Sequence, residues 1–265
     1  DTSGEPLFKR GWRTDKGDAP LKETLAAAMI AASGWDATVP LYDPCCGSGT
    51  IPIEAAQIAC GIAAGSQRRF GFEKLLPFQS HVWQGLKEEA RAMEHQPTAP
   101  VFGSDVAHRM VDFAQRNAER AGVARAVQLR GGDALQRMPP SEVPGIMLLN
   151  PPYGERIAAA GVAGRGRDNF VPGLLAAART GQPREHREQV QTDDGGDFFL
   201  QLSAHWKKHF AGWSAWMLTP DLKLPGRMRL KESRRVPMWN GPIECRLFRF
   251  DLVAGSARRD AGETP

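Results

Sequence analysis

Gly145-Ile146-Met147-Leu148-Leu149-Asn150-Pro151-Pro152-Tyr153 is the stretch from which the fold is read. Its first five residues form an uninterrupted apolar run, the pattern of a strand buried on both faces and so of a parallel sheet. Two consecutive prolines then exclude helix at Asn150 and Pro151 and remove two backbone N–H groups, so the strand ends in an extended turn. The tip is rich in acceptors: the Asn150 side-chain carbonyl and the backbone carbonyls of the proline turn, with the Tyr153 ring beside them. Such a tip can accept both hydrogens of an exocyclic amine while the ring stacks on the base that carries it. Taken alone, the tetrapeptide reads equally well as a plain turn with a packing tyrosine.

Working outward, Leu41-Tyr42-Asp43-Pro44-Cys45-Cys46-Gly47-Ser48-Gly49-Thr50 follows Val39 and leads into an apolar helical stretch at residues 51–62. A strand, a glycine turn and a helix come in order. Gly47 and Gly49 let a ligand approach the backbone, and the new helix presents unpaired N–H groups. No lysine follows Gly49, and Pro52 stands where a dinucleotide fingerprint has its third glycine, so neither a phosphate loop nor that fingerprint is present. An acid directly before the turn, Asp43, repels a diphosphate and suits an ammonium group.

A short strand at residues 100–105 ends in Asp105, and a helix spans 107–121. An acid in that position of a doubly wound sheet binds ribose hydroxyls, although a capping role is also open to it. A long insertion at residues 66–97 carries Phe70, Phe72, Phe78 and Trp83 and pushes Asp105 beyond the usual ~20-residue separation from the glycine turn. A third strand at 127–129 closes with Gly131-Gly132-Asp133. Helix is expected at 19–33, with Leu21, Leu25, Ala28 and Met29 facing inward and Gly34 ending it. The segment 161–197 reads as a long loop with a short helix near 171–178. Further on come a helix at 198–210, a strand at 213–219, and a terminal hairpin of 234–238 and 243–252 turning at Asn240-Gly241. The tail from 256 to 265 reads as disordered. The fold class is therefore α/β, a doubly wound, Rossmann-like sheet of seven strands with the last strand antiparallel.

The motifs together resemble the class I S-adenosylmethionine-dependent methyltransferases, in the amino-methylating branch marked by Asn/Asp-Pro-Pro-aromatic. Phe8-Lys9-Arg10-Gly11-Trp12-Arg13, Ala19-Pro20-Leu21-Lys22-Glu23-Thr24-Leu25-Ala26, residues 43–50, residues 150–156 and Asn240-Gly241-Pro242-Ile243-Glu244-Cys245 are similar to the catalytic domain of the 23S rRNA guanine-N2 methyltransferases. That covers most of the chain. The resemblance implies S-adenosylmethionine as cofactor, held by Asp43, Pro44, Cys46, Gly47, Ser48, Gly49, Thr50, Asp105, Asp133 and Asn150, with Asp133 accepting from the adenine amine. Asn150, Pro151, Pro152 and Tyr153 would be the catalytic set. The implied substrate is 23S rRNA or a large-subunit ribosomal precursor, and the implied neighbour is an RNA-binding THUMP domain upstream. The chain opens on Asp1 in the middle of the resembled lead-in, which reads as a domain of a longer protein. On this reading residues 1–38 are a lead-in and a helix covering the cofactor pocket, and residues 39–255 are the methyltransferase domain. Asn-Pro-Pro-Tyr also occurs in adenine-N6 methyltransferases of DNA or RNA, and a non-catalytic RNA-binding module is a third reading.

The formal charge of +4 is mild, but its distribution is uneven. Residues 201–250 hold ten Lys or Arg against three acids, and Lys9, Arg10 and Arg13 cluster around Trp12. Basic side chains interleaved with an aromatic suit a phosphate backbone, so Lys9, Arg10, Arg13, Arg234 and Arg235 are candidate RNA contacts; a solvated basic face is the bland alternative. The four cysteines, at 45, 46, 60 and 245, show no metal-ligand or disulfide spacing, so no metal site is expected. No apolar run approaches the roughly 20 residues that span a bilayer, and no signal-peptide pattern opens the chain, which points to the cytoplasm.

Overall fold

A computed structural model describes residues 2–17, 20–151 and 195–253 of the 265-residue chain. Its elements follow as α1 (Glu23–Ser33), β1 (Leu41–Asp43), α2 (Thr50–Ala59), a 3₁₀ turn (Gly71–Lys74), α3 (Ser80–Ala92), β2 (Val101–Asp105), α4 (His108–Arg120), β3 (Val127–Gly131) and β4 (Ile146–Leu149). After the segment that is not described come α5 (Gly195–His209), β5 (Ser214–Thr219), α6 (Leu224–Met228), β6 (Arg234–Asn240) and β7 (Ile243–Asp251). Seven strands form one sheet in the order β3-β2-β1-β4-β5-β7-β6. β1 to β5 pair in parallel, while β7 runs antiparallel between β5 and β6.

Strand alternation sorts the side chains into two cores. Leu41, Val101, Leu148, Trp216 and Leu247 face α1, α2 and α4 on one side. Tyr42, Phe102, Met147, Leu149, Met217 and Phe248 face α5 and α6 on the other. Each central strand is thus covered on both faces, which is why its sequence reads as a continuous apolar run. α1 starts at Glu23 and turns inward through Ala26, Met29 and Ile30, whereas Ala28, expected inside, is exposed. α6, missed in the sequence, is too short to show a helical period, and Pro225 stands in its first turn. The expected helix near 171–178 and the tail lie outside the described residues.

The amino-terminal basic cluster is built differently from its expectation. Trp12 is 1% exposed and belongs to the core. Arg10 reaches Glu54 on α2 through two parallel hydrogen bonds of 3.1 and 3.2 Å. Arg13 lies 3.0 Å from Glu23 and donates to the Leu21 carbonyl at 2.7 Å and Thr50 Oγ1 at 2.9 Å. Neither guanidinium is presented to solvent, since the Arg10 and Arg13 side chains are 11% and 9% exposed. Their charge answers two buried glutamates rather than a phosphate backbone. Burial, the larger effect, pushes both Glu54 and Glu23 above the usual carboxylate range, while the arginines pull them back. Of the cluster only Lys9 is exposed, and it pairs with Glu5.

Removing one partner of such a pair strands a buried charge. Arg10→Ala is expected to destabilise the protein by about 3–5 kcal/mol, read from urea unfolding. Adding Glu54→Leu should recover most of the loss; a double variant as unstable as the single would show that the pair is not what Arg10 contributes.

Candidate functional site

The parallel strands end together along one edge, and the chain order reverses between β1 and β4, since β2 and β3 lie on one side of β1 and β4 and β5 on the other. Such a switch point opens a crevice at the carboxyl ends of the strands. Asp43 closes β1 there, Asn150 follows β4, and Asp105 closes β2 level with Gly131 of β3. Four of the expected site residues or their neighbours are therefore brought to one edge by topology alone.

The turn after β1 is folded across the end of β2. Cys46 N–H donates to the Ser104 carbonyl at 2.9 Å, Gly47 N–H to Asp105 Oδ2 at 2.9 Å, and Gly49 N–H to the Cys46 carbonyl at 2.8 Å. Asp105 Oδ1 also accepts from Ala107 N–H at 2.9 Å. Asp105 thus steadies both the glycine turn and the approach to α4, and each oxygen keeps a second lone pair. Asp133 accepts from Leu135 N–H at 2.9 Å and shapes its own turn.

The two glycines divide their work. Gly47 has φ +52°, and a Cβ there would meet nothing within 4 Å, so the backbone faces open space. At Gly49, φ is +89° and a Cβ would stand 2.9 Å from Ala114 Cβ on α4. Gly49 is required by helix packing, and the open face belongs to Gly47.

Acids gather around the turn at this edge, with Arg137 lying against Gly132 and reaching the Tyr42 hydroxyl. Asp43 is 2% exposed and accepts from Cys45 N–H at 2.9 Å. Burial holds its carboxyl well above the usual range, and the Asp105 charge adds to this. The Cys45 thiol is also pushed far up, by burial first and then by Asp43, Asp105 and Asp133. A cluster of acids around an open backbone turn fits a ligand with cationic centres, such as the sulfonium and ammonium of S-adenosylmethionine. A diphosphate does not fit it. Asn150 is half-buried and Pro151 buried at the end of β4; Pro152 and Tyr153 lie outside the described residues. Arg234 and Arg235 stand on the edge strand β6, away from the crevice. Among the described residues no three His, Cys, Asp or Glu side chains come together as a metal site, and no described helix is long and apolar enough to cross a membrane.

Sequence reading missed one member of this neighbourhood, Asn117, which is fully buried on α4 and donates to the Ser48 carbonyl at 2.9 Å. Its signal was present: an amide in register with the apolar positions Ala114, Ala118 and Ala121 of an otherwise amphipathic helix.

This sheet order, with an acid and a glycine turn closing β1 at the switch point, defines a domain of the class I methyltransferase type. The chain belongs to the family described as RMKL-like, methyltransferase domain, whose model matches residues 10–166. It is 39% identical over 269 residues to the ribosomal RNA large subunit methyltransferase K/L of Shewanella baltica, covering 99% of this chain and 33% of the relative. It is 40% identical over 263 residues to the protein of the same name from Shewanella pealeana, covering 97% and 32%. The chain therefore spans about a third of the length of these curated relatives. Among solved structures, SMU.472, a putative methyltransferase complexed with SAH, superposes with a TM-score of 0.75 at 28% identity, over 97% of this chain and 58% of that one. A possible methylase from Clostridium difficile gives 0.77 at 28%, over 97% and 59%. A predicted N6-adenine-specific DNA methylase from Listeria monocytogenes gives 0.73 at 28%, over 94% and 56%.

The raised Asp43 pKa carries a sign. An acid whose folded pKa lies above its unfolded value contributes stability below the unfolded pKa and loses it as pH rises through the folded one. Ionising Asp43 therefore works against folding of the ligand-free protein as pH rises through its folded pKa. Asp43→Asn keeps the acceptor for Cys45 N–H and should raise ligand-free stability at pH 8 by about 1 kcal/mol or more, with the gain shrinking toward pH 4 and affinity for S-adenosylmethionine lost. A variant less stable at pH 8, or one with unchanged affinity by calorimetry, would contradict this account of the site.

Proposed function

We propose that this chain is the catalytic domain of an S-adenosylmethionine-dependent methyltransferase that modifies the exocyclic N2 amine of a guanine in large-subunit ribosomal RNA. The observation that carries the reading is the position of Asn150-Pro151, at the carboxyl end of β4 and directly beside the strand that presents Asp43 and the Gly47 turn. The large-subunit methyltransferase names of relatives matching nearly the whole chain support the substrate.

The cofactor, when bound, supplies an electrophilic methyl on a cationic sulfur. Asp43 and Asp105 set the negative field that holds its charged and hydroxyl groups, Gly47 leaves the backbone room for it, and Asp133 offers an acceptor to its adenine amine. A guanine amine is a weak nucleophile because its lone pair is delocalised into the ring. Accepting its hydrogens at the Asn150 side-chain carbonyl and the Pro151 backbone carbonyl directs the remaining lone pair toward the methyl. No strong base is needed, because the nitrogen becomes acidic only as the methyl arrives. Tyr153, with Pro152 fixing its approach, would stack on the extruded base.

Asn150→Ala should lower kcat by about 10²-fold or more with little change in cofactor affinity; near-normal turnover would remove the amine-gripping mechanism. The product decides between two substrates, because the Listeria relative's description as an adenine methylase keeps adenine N6 as the second reading. Mass analysis of nucleosides from RNA treated with labelled cofactor should show N2-methylguanosine. N6-methyladenosine would replace this reading with the second, and RNA binding without methylation would favour a non-catalytic module.

The RNA surface we infer includes Arg234 and Arg235. One row of the sheet runs Leu149, Met217, Phe248, Arg235, so Arg235 stands level with the residue before Asn150, about 14 Å away across three strand spacings. Both arginines are exposed, and Arg235 is steadied by Glu232 at 2.8 Å and by the Phe248 ring. Lys9 adds a further exposed cation, while Arg10 and Arg13 drop out because they are buried. Reversing Arg234 and Arg235 to glutamate should flatten the log–log salt dependence of RNA binding by about two phosphate contacts; an unchanged slope would take β6 out of the interface. An upstream RNA-binding domain of the THUMP type would account for part of the extra length of the relatives, and a ribosomal substrate would place the protein in the cytoplasm.

A further inference from the structure

Among the described residues the amino-terminal lead-in before α1 makes no strand and no helix, yet it is held by a highly connected polar group beside the glycine turn. Asn117 lies on α4 and is fully buried. Its Nδ2 donates to the Ser48 carbonyl at 2.9 Å and the Asp15 carbonyl at 2.8 Å. Its Oδ1 accepts from Arg120 Nη2 at 2.6 Å and, at 3.4 Å each, from the Thr14 and Asp15 N–H groups. All the hydrogen-bonding capacity of one amide is used to join three things: α4, the lead-in and the glycine turn.

The lead-in is fixed from the other side as well. Asp15 pairs with Arg120 and lies 3.1 Å from Arg116, and Arg120 Nε donates to the Trp12 carbonyl at 3.0 Å. Two residues before Asp15, Arg13 donates to Oγ1 of Thr50, the first residue of α2. The turn Ser48-Gly49-Thr50 is therefore gripped at both ends by residues 12–15, through Asn117 at Ser48 and through Arg13 at Thr50. Gly49, between them, sits against Ala114 on the same face of α4. Only Gly47, the residue before the gripped segment, opens to the crevice.

We propose that Asn117 is a positioning residue for cofactor binding, acting through the Ser48 carbonyl, with the lead-in around Asp15 as its backing. This rests on the reading of the Gly47 turn as the S-adenosylmethionine site. The physical reason is preorganisation: a turn with two glycines in the left-handed region would otherwise sample many conformations, and binding would have to select one of them. The amide fixes the turn before the ligand arrives. The reacting amine is gripped elsewhere, at Asn150, so the effect falls on cofactor affinity rather than on the chemical step.

Asn117→Asp preserves size and the acceptor toward Arg120 while placing an oxygen against the Ser48 and Asp15 carbonyls. Calorimetry with S-adenosylhomocysteine should show at least tenfold weaker binding, and KM for S-adenosylmethionine should rise by a similar factor, with kcat at saturating cofactor changing less than about threefold. Asp15→Ala, a gentler change at the partly exposed end of the network, should weaken binding two- to fivefold. The double variant should be no weaker than Asn117→Asp alone, because both act through one link. A purely structural role would lower thermal stability and the active fraction while leaving Kd and KM alone, and that pattern would overturn the proposal. Should Asn117→Asp fail to fold, Asp15→Ala decides it, with unchanged Kd as the overturning result. Wild-type protein that binds no S-adenosylhomocysteine would instead overturn the cofactor reading itself.

Discussion

The pairing of β1 with β4 is the constraint on which the remaining architecture depends. Leu41 lies opposite Ile146 and Tyr42 opposite Met147, so two central strands end within a few residues of each other. Every later connection must then leave from one side of this pair or the other, and the crevice at their carboxyl ends follows from that division. The acid, the glycine turn and the Asn-Pro tip need no special loop to meet, because the strands that carry them are neighbours. The apolar row beneath them, Leu148 and Leu149 with Trp216 and Met217, is fully buried and gives those tips a rigid base.

Buried charge is handled in two opposite ways in this protein. Glu23 and Glu54 are each met by an arginine from the lead-in, which stitches a segment without regular structure onto α1 and α2. Asp43 meets no such cation among the described residues, only the Cys45 N–H, with a second acid nearby. The first arrangement serves stability, whereas the second leaves an electrostatic demand that a cationic ligand can satisfy. Stability and binding are thus in tension at Asp43, as is common where a site must be preorganised.

Much of this was legible in the sequence. The buried strand before Asn150, the strand-turn-helix order around Asp43, the acid at the end of β2 and the hairpin at Asn240-Gly241 could all be read from apolar period and turn chemistry; each is found with boundaries shifted by up to three residues, the largest shift being the end of α2 at Ala59 instead of residue 62. What failed was reading charge without depth. Arg10 and Arg13 beside Trp12 looked like a phosphate-binding patch, but a charged residue's partner can lie 44 positions away, as Glu54 does for Arg10. A packing demand on Gly49 also went unseen, since Ala114, whose Cβ it must avoid, belongs to another helix. Asn117 could be read as buried from its register with Ala114 and Ala118, but not as a tie, because its partners Ser48, Thr14 and Asp15 come from distant parts of the chain.

The hairpin that completes the sheet also settles a colloidal problem. Among the described residues β6 is an edge strand, and an unpaired edge of seven residues is a template on which a second molecule could add its own strand. Pro237 in its middle removes one N–H from that row, and Arg234 and Arg235 at its start would bring like charges together in any edge-to-edge pairing of two copies. At the opposite edge, β3 is short and turns Gln128 and Arg130 outward. The two margins of the sheet are thus made poor partners for each other and for themselves, which disfavours growth of the sheet by edge-to-edge addition of a second copy.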